Sequence, residues 1–273
     1  MKRYTVTDGV VIKRHPLPSG DLVVTLLGRL GKWRAVARKG TLPGGNVGRL
    51  SLFHDVTVQF YRRKDEDLAL LTQVQLNGAL PALSGTGTYS YAHLLCELAD
   101  ALTVDVHLEA RVYDYLTSGL RGLASHHDPE LVALLYAWRL LGVAGLAPRV
   151  GACVACGAPG PLVALDVTAG GLTCDRDRSG LPLTAPEAEE VRLLVSGGMA
   201  EALAAAMPGR ERHWQLLEAY VTYHVQELRS FAAARRAADP AGAHPTGADQ
   251  GAGSAEPDAR TGADASAPRA GAA

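Results

Sequence analysis

Near Pro81 the chain changes the spacing at which it repeats apolar residues, and that change limits what it can fold into. Before that point short apolar stretches alternate with polar positions every second residue. After it, Leu94, Leu95, Leu98 and Leu102 open a spacing of three and four. A period of two places successive side chains on opposite faces of a strand, whereas three-and-four spacing lays one stripe along a helix. The chain is therefore expected to be α+β, with a β-rich N-terminal part followed by an all-α part.

Five strands are predicted, at residues 9–14, 22–27, 33–38, 55–61 and 68–76. Pro16, Pro18, Ser19, Gly20 and Asp21 separate the first two, since proline cannot donate to a ladder and Gly-Asp favours turns. Gly31-Lys32 makes the next turn, Leu42-Pro43-Gly44-Gly45-Asn46 a glycine-rich loop, and residues 62–67 a charged hairpin tip. Five short strands in some 75 residues match the size of an OB-fold barrel.

Helices are expected around Leu94–Leu102 and from about Leu108 to Leu123. Another starts after Asp128-Pro129-Glu130, where Asp caps and Pro takes the first helical position. Thr184-Ala185-Pro186-Glu187 is a capping box that opens a further helix, broken at Gly197-Gly198. A last long helix is predicted over roughly 210–237. Residues 239–273 contain no Leu, Ile, Val or aromatic residue, so that stretch is expected to be a disordered tail. The expected domains are 1–83, 84–238 with a cysteine-bearing insert at 150–182, and the 239–273 tail.

The formal net charge of −1 conceals an asymmetry. Residues 1–83 hold 13 Lys and Arg against 6 Asp and Glu; residues 84–273 hold 14 against 22. A basic first third on a near-neutral chain points to a polyanion-binding module. The candidate DNA contacts are Lys13, Arg14, Lys32, Arg34, Arg38, Lys39, Arg62, Arg63 and Lys64. Arg34 and Arg38 are expected on one face of the third strand. Trp33, Phe60 and Tyr61 lie among these charges, and aromatic faces beside cations are how OB-folds hold single strands. The competing reading of any single Arg is a solvated sheet face with core aromatics. Nothing offers base-edge readout, so binding without sequence preference and with strong salt dependence is expected.

The second constellation is Cys153-x2-Cys156, then Cys174-x2-Asp177. This is zinc-ribbon spacing with an aspartate in the last place. Three thiolates and one carboxylate can complete a zinc tetrahedron, and four protein ligands leave no open position, the mark of a structural site. The competing reading is a degenerate knuckle that keeps its turn but binds metal weakly or not at all. Cys96, alone in a helical pattern, is expected as a small buried apolar residue. His126-His127 is read as a surface turn, and His224 as a satisfied core or partner-contact histidine. No Walker A loop, nucleophile elbow, HExxH or paired-carboxylate signature occurs. With no apolar run of eighteen residues and no signal-peptide core, a cytoplasmic protein is expected, with no membrane partner.

The chain resembles the bacterial RecO family of DNA repair and recombination mediators. The resemblance is carried by residues 9–14, 20–27, 31–40, 70–74 and 140–148 and by Cys153-Val154-Ala155-Cys156-Gly157, in that order. It covers about residues 1–238. It implies a non-catalytic protein that binds single- and double-stranded DNA and anneals complementary strands. It also implies help in loading the recombinase RecA, partnership with RecR, and contact with the acidic tail of single-stranded DNA-binding protein. Arg192, Arg210 and Arg212 are the cations available to such a tail. The family's usual fourth cysteine falls at Asp177. Two rivals remain: a metal-dependent nuclease acting on DNA through the 153–177 site, and a scaffold whose basic barrel binds only protein. Asp65, Glu66 and Asp67 are read as a solvated hairpin tip rather than a nuclease centre.

Overall fold

The computed structural model describes residues 4–62, 68–103 and 109–238. Its first five strands are β1 (Tyr4–Pro16), β2 (Leu22–Gly28), β3 (Gly31–Ala37), β4 (Asp55–Tyr61) and β5 (Ala69–Gly78). They close into a barrel in the order β1-β2-β3-β5-β4, an OB-fold arrangement. Closure needs the parallel pairing of β3 with β5, through Ala35 with Ala69 and Val36 with Leu70. It also needs β1 to be long enough to pair with both β2 and β4. That explains why β1 starts five residues before its apolar run: Tyr4–Val10 form the ladder to β4. Val11, Leu22, Val24, Leu26, Ala35, Val56, Val58 and Phe60 fill the barrel interior.

The helical part contains α1 (Thr86–Leu102), α2 (Glu109–Ser125), α3 (Pro129–Val143), α4 (Ala185–Ser196), α5 (Met199–Ala204), α6 (Arg210–His224) and α7 (Phe231–Ala238). The sequence signals hold at α3, where Asp128 accepts from the Leu131 N–H. They hold also at α4, where Thr184 and Glu187 cap reciprocally and Gly197 ends the helix. Cys96 is buried, and its thiol is pushed well above the ordinary range by that burial.

The predicted last long helix is divided in two. Residues 225–230 leave the helical path, and the Glu97 carboxylate of α1 accepts from the Arg229 N–H, the Ser230 N–H and the Ser230 hydroxyl. Ser230 thus immediately precedes α7, whose Phe231 is buried. A carboxylate on another helix supplies the reason for the break, so local periodicity could not show it. The short α5 was also unforeseen.

Barrel and helices share a core. The barrel's outer face contributes Val10, Ile12, Leu27 and Phe53 to the same cluster as Leu94, Leu98, Leu116, Leu120 and Trp138. Where α1 and α2 cover that outer face it is apolar; at the edge of the cover it turns basic. The 239–273 segment, like Arg63, Lys64, Asp65, Glu66 and Asp67 of the predicted hairpin tip, lies outside the described residues. No described helix is long and apolar enough to cross a membrane.

Candidate nucleic-acid interface and metal centre

The basic edge follows from strand register. Lys13 of β1 pairs with Thr25 of β2, and Thr25 pairs with Arg34 of β3. A bulge between Val11 and Lys13 shifts the alternation, so Lys13 points outward beside the buried Ile12. Lys32, two residues before Arg34, shares its face. These side chains and Arg14 line a groove of about 960 Å³ between the barrel and the helical part. Its far wall is His93, Glu97 and Asp100 of α1 with Gln226, Glu227 and Arg229 of the α6–α7 connection.

Not every predicted contact is equally available. Arg34 is exposed and, among the described residues, has no ion-pair partner. Arg14 is half-buried and reaches the Val47 carbonyl at 3.4 Å. Lys13 and Lys32 are both held by Asp100, at 2.5 and 2.9 Å. Burial pushes the Asp100 carboxyl up, but its hydrogen bonds to Lys13 and Lys32 and their charges outweigh this and hold it below its ordinary range.

Arg38 differs from expectation. β3 ends at Ala37, so Arg38 sits in the following turn rather than on Arg34's face. Lys39 is in the same turn with φ of +51°, and neither lines the groove. Asp21 fixes this turn by accepting the Lys39 N–H at 2.8 Å. That hydrogen bond is the main reason the Asp21 carboxyl lies below its ordinary range.

The aromatic residues also differ from expectation. Phe60 is 1% exposed and belongs to the barrel core, because it falls on the inward phase of β4. Trp33 packs against it at 4.9 Å, and Arg62 lies over both rings, at 5.6 and 5.8 Å from their centroids. Tyr61 packs on Tyr4. None of these rings lines the groove, whose barrel side offers Lys13, Arg14, Lys32 and Arg34, cations that suit phosphates. The sequence showed which residues were basic or aromatic, but barrel closure decided which of them meet.

The cysteine insert lies between α3 and α4. It folds as a small sheet of β6 (Leu162–Asp166), β7 (Gly171–Cys174) and β8 (Leu181–Pro182), ordered β7-β6-β8. The β6–β7 hairpin returns Cys174 to the first knuckle, as the spacing required. Gly171 and Gly180 allow close backbone approach: a Cβ would stand 2.7 Å from the Arg149 carbonyl oxygen and 2.2 Å from that of Leu165, respectively. Leu165 and Leu172 enter the main core.

Cys153, Cys156, Cys174 and Asp177 converge, with one ligand atom from each within 4.8 Å of every other. Asp177 Oδ2 lies 3.1 Å from Cys153 Sγ and 3.3 Å from Cys174 Sγ, and Cys156 Sγ lies 3.6 Å from Cys174 Sγ. Two thiolates bound tetrahedrally at about 2.3 Å from one ion stand about 3.8 Å apart, so the donor set fits a metal ion. The Cys153 and Cys174 thiols donate to Asp177 and help hold its carboxyl below its ordinary range, which favours the anionic, ligating form. It is the sole group of this kind among the described residues. The His126 and His127 rings lie tilted to each other with centroids 4.3 Å apart, without joining such a group, and His224 Nε2 is satisfied by the Val167 carbonyl at 2.7 Å.

A family model described as "Recombination protein O N terminal" matches residues 1–79, and one described as "Recombination protein O C terminal" matches residues 86–230. The chain belongs to the RecO family. A DNA repair protein RecO of Thermobifida fusca is 33% identical over 239 residues, 84% of this chain and 98% of the relative. One of Streptomyces avermitilis is 35% identical over 240 residues, 82% of this chain and 95% of the relative. Membership in RecO places the chain in DNA repair.

The three guanidiniums singled out for an acidic peptide all have partners within the fold. Arg192 pairs with Glu189. Arg210 pairs with Asp128 and Glu130. Arg212 bonds the Pro182 carbonyl and Gln215.

Proposed function

We propose that the chain is a non-catalytic DNA-binding mediator that holds single and double strands on the barrel's basic edge and anneals complementary strands. The observation that carries this is the row Lys13–Thr25–Arg34, flanked by Arg14 and Lys32, along an open groove. Two phosphate backbones repel each other; cations offered to both lower that repulsion, and no covalent step is needed. The groove holds no Trp, Tyr or Phe ring, and its cations are placed to meet backbone phosphates, which fits binding without sequence preference.

By the same reading the protein acts in the cytoplasm with RecR and single-stranded DNA-binding protein, and helps load RecA. With Arg192, Arg210 and Arg212 engaged, an acidic peptide tail is better served by the small apolar groove of about 250 Å³ bounded by Tyr89, Ser90, His93, Arg229, Ser230 and Ala233. Arg229 supplies a positive charge there. Cys153, Cys156, Cys174 and Asp177 would hold Zn²⁺ as a structural ion with no ligand position left for water.

The test is fluorescence anisotropy with a labelled single strand, together with annealing of complementary oligonucleotides with and without chelator. Arg14→Glu with Arg34→Glu should lower DNA affinity by at least tenfold at low salt while the fold persists. Unchanged binding in that double variant would refute the interface. Cleavage products that vanish with chelator would replace the mediator with a metal-dependent nuclease.

A further inference from the structure

We propose that Asp100 is a built-in competitor for the DNA backbone, occupying in the free protein the two lysines that a phosphate would otherwise take. This rests on the proposed DNA interface and concerns its regulation. Each Asp100 carboxylate oxygen holds one lysine: Oδ2 meets Lys13 Nζ at 2.5 Å and Oδ1 meets Lys32 Nζ at 2.9 Å. Lys32 also donates to the Asp100 carbonyl at 2.9 Å. An anion with two oxygens, each bonded to its own ammonium group, is the arrangement a bridging phosphodiester would adopt between the same lysines. The carboxylate thus stands in for a phosphate.

Local helix energetics does not explain Asp100. It lies in the last turn of α1, a helix with no basic residue in that turn. Negative charge is unfavourable at this end of the macrodipole, so the lysines are what compensate it. The bridge is also within reach of an incoming strand, because the Lys13 side chain is 53% exposed and the pair lines the open groove. Breaking it requires no unfolding.

The consequence is graded binding. Arg34, exposed and without an ion-pair partner among the described residues, is the first cation a strand meets, and Lys13 and Lys32 give a strand their full charge only when Asp100 is displaced. Once displaced, the carboxylate remains beside the backbone and repels it, so a strand is held loosely enough to pass to its complement. The occupant is a polyanionic phosphate chain, which carries enough local charge to displace the carboxylate.

The experiment uses the full chain, a labelled oligothymidine and anisotropy across a salt series. Asp100→Asn should bind about tenfold tighter at about 50 mM salt, with the slope of log affinity against log salt steeper by about 1.4, two single-strand phosphate contacts. Lys13→Gln with Lys32→Gln should erase that gain. Asp100→Glu, which keeps the charge, should bind like the unaltered chain. Should Asp100→Asn melt early, Asp100→Ser gives the same readout. Binding unchanged by removal of the carboxylate, or a gain that survives loss of both lysines, would overturn the competitor. If Arg14→Glu with Arg34→Glu also left binding intact, the DNA interface itself would fail; if that pair abolished binding, only the competitor would.

Discussion

Replacing Arg210 with methionine should cost the protein about 2–3 kcal/mol of stability and leave its binding partners untouched. Arg210 donates to Asp128 at 2.7 and 2.5 Å and to Glu130 at 3.2 Å. Asp128 caps α3, and Glu130 also accepts from the Nε1–H of the fully buried Trp214. Methionine keeps the apolar stem but leaves two carboxylates facing each other without a cation. Breaking a fully buried pair costs about 3–5 kcal/mol and an exposed one about 0–1. The three side chains are 18–24% exposed, so the figure falls between. For a chain of this length each kcal/mol shifts Tm by about 2–4 °C, giving a fall of about 4–12 °C. The pH dependence follows from Asp128. Burial pushes its carboxyl up, but Arg210 and the Leu131 N–H outweigh this and hold it below its ordinary range. A depressed native pKa contributes stability that is present above the unfolded value of about 4 and lost as pH falls through the native one. The gap between Arg210→Met and the unaltered chain should therefore narrow as pH is lowered below about 4. Thermal melts at neutral and acidic pH check both statements. A Tm within 2 °C of the unaltered chain at neutral pH, or a gap that does not narrow with acid, would refute them. Loss of affinity for an acidic peptide without loss of Tm would make Arg210 a docking cation after all.

Asp177→Cys should raise zinc retention against a chelator and raise Tm in zinc, since a fourth thiolate replaces the weaker carboxylate; metal analysis after dialysis against chelator reads this. If neither the unaltered chain nor this variant retains metal, the four side chains are a hydrogen-bonded knuckle only. Gly180→Ala should destabilise the insert by at least about 1–3 kcal/mol, because a side chain at φ of +100° would also press on the Leu165 carbonyl; protease nicking near residues 175–185 is the assay, and unchanged resistance would contradict it.

The parts legible in sequence were those with local physical causes. The Asp128 cap, the Thr184–Glu187 capping box and the strand periods act within a few residues, so they could be read in order along the chain. The knuckle was legible because a two-residue spacing places both sulfurs in one turn. The basic edge was legible as composition, and Lys13, Arg14, Lys32 and Arg34 do line one groove. Arg38 was misplaced because the end of β3 depends on where its pairing with β2 stops, at Leu22 with Ala37. Phe60 was misread as a stacking face because the inward phase of β4 is set by its register with β1 and β5. Glu97 and Asp100 gave no local signal: they are two acids on an apolar helix whose partners are more than sixty residues away in the chain.

By itself, the sequence determined the succession from β to α, the charge asymmetry and the spacing of the Cys3Asp cluster at 153–177, because periodicity, composition and short spacings are local or additive. Tertiary structure alone decided which cations remain free. Barrel closure and the docking of α1 carried Asp100 to Lys13 and Lys32 and left Arg34 exposed beside them. Ion pairs between distant segments depend on where the fold brings those segments, and no local pattern encodes that distance.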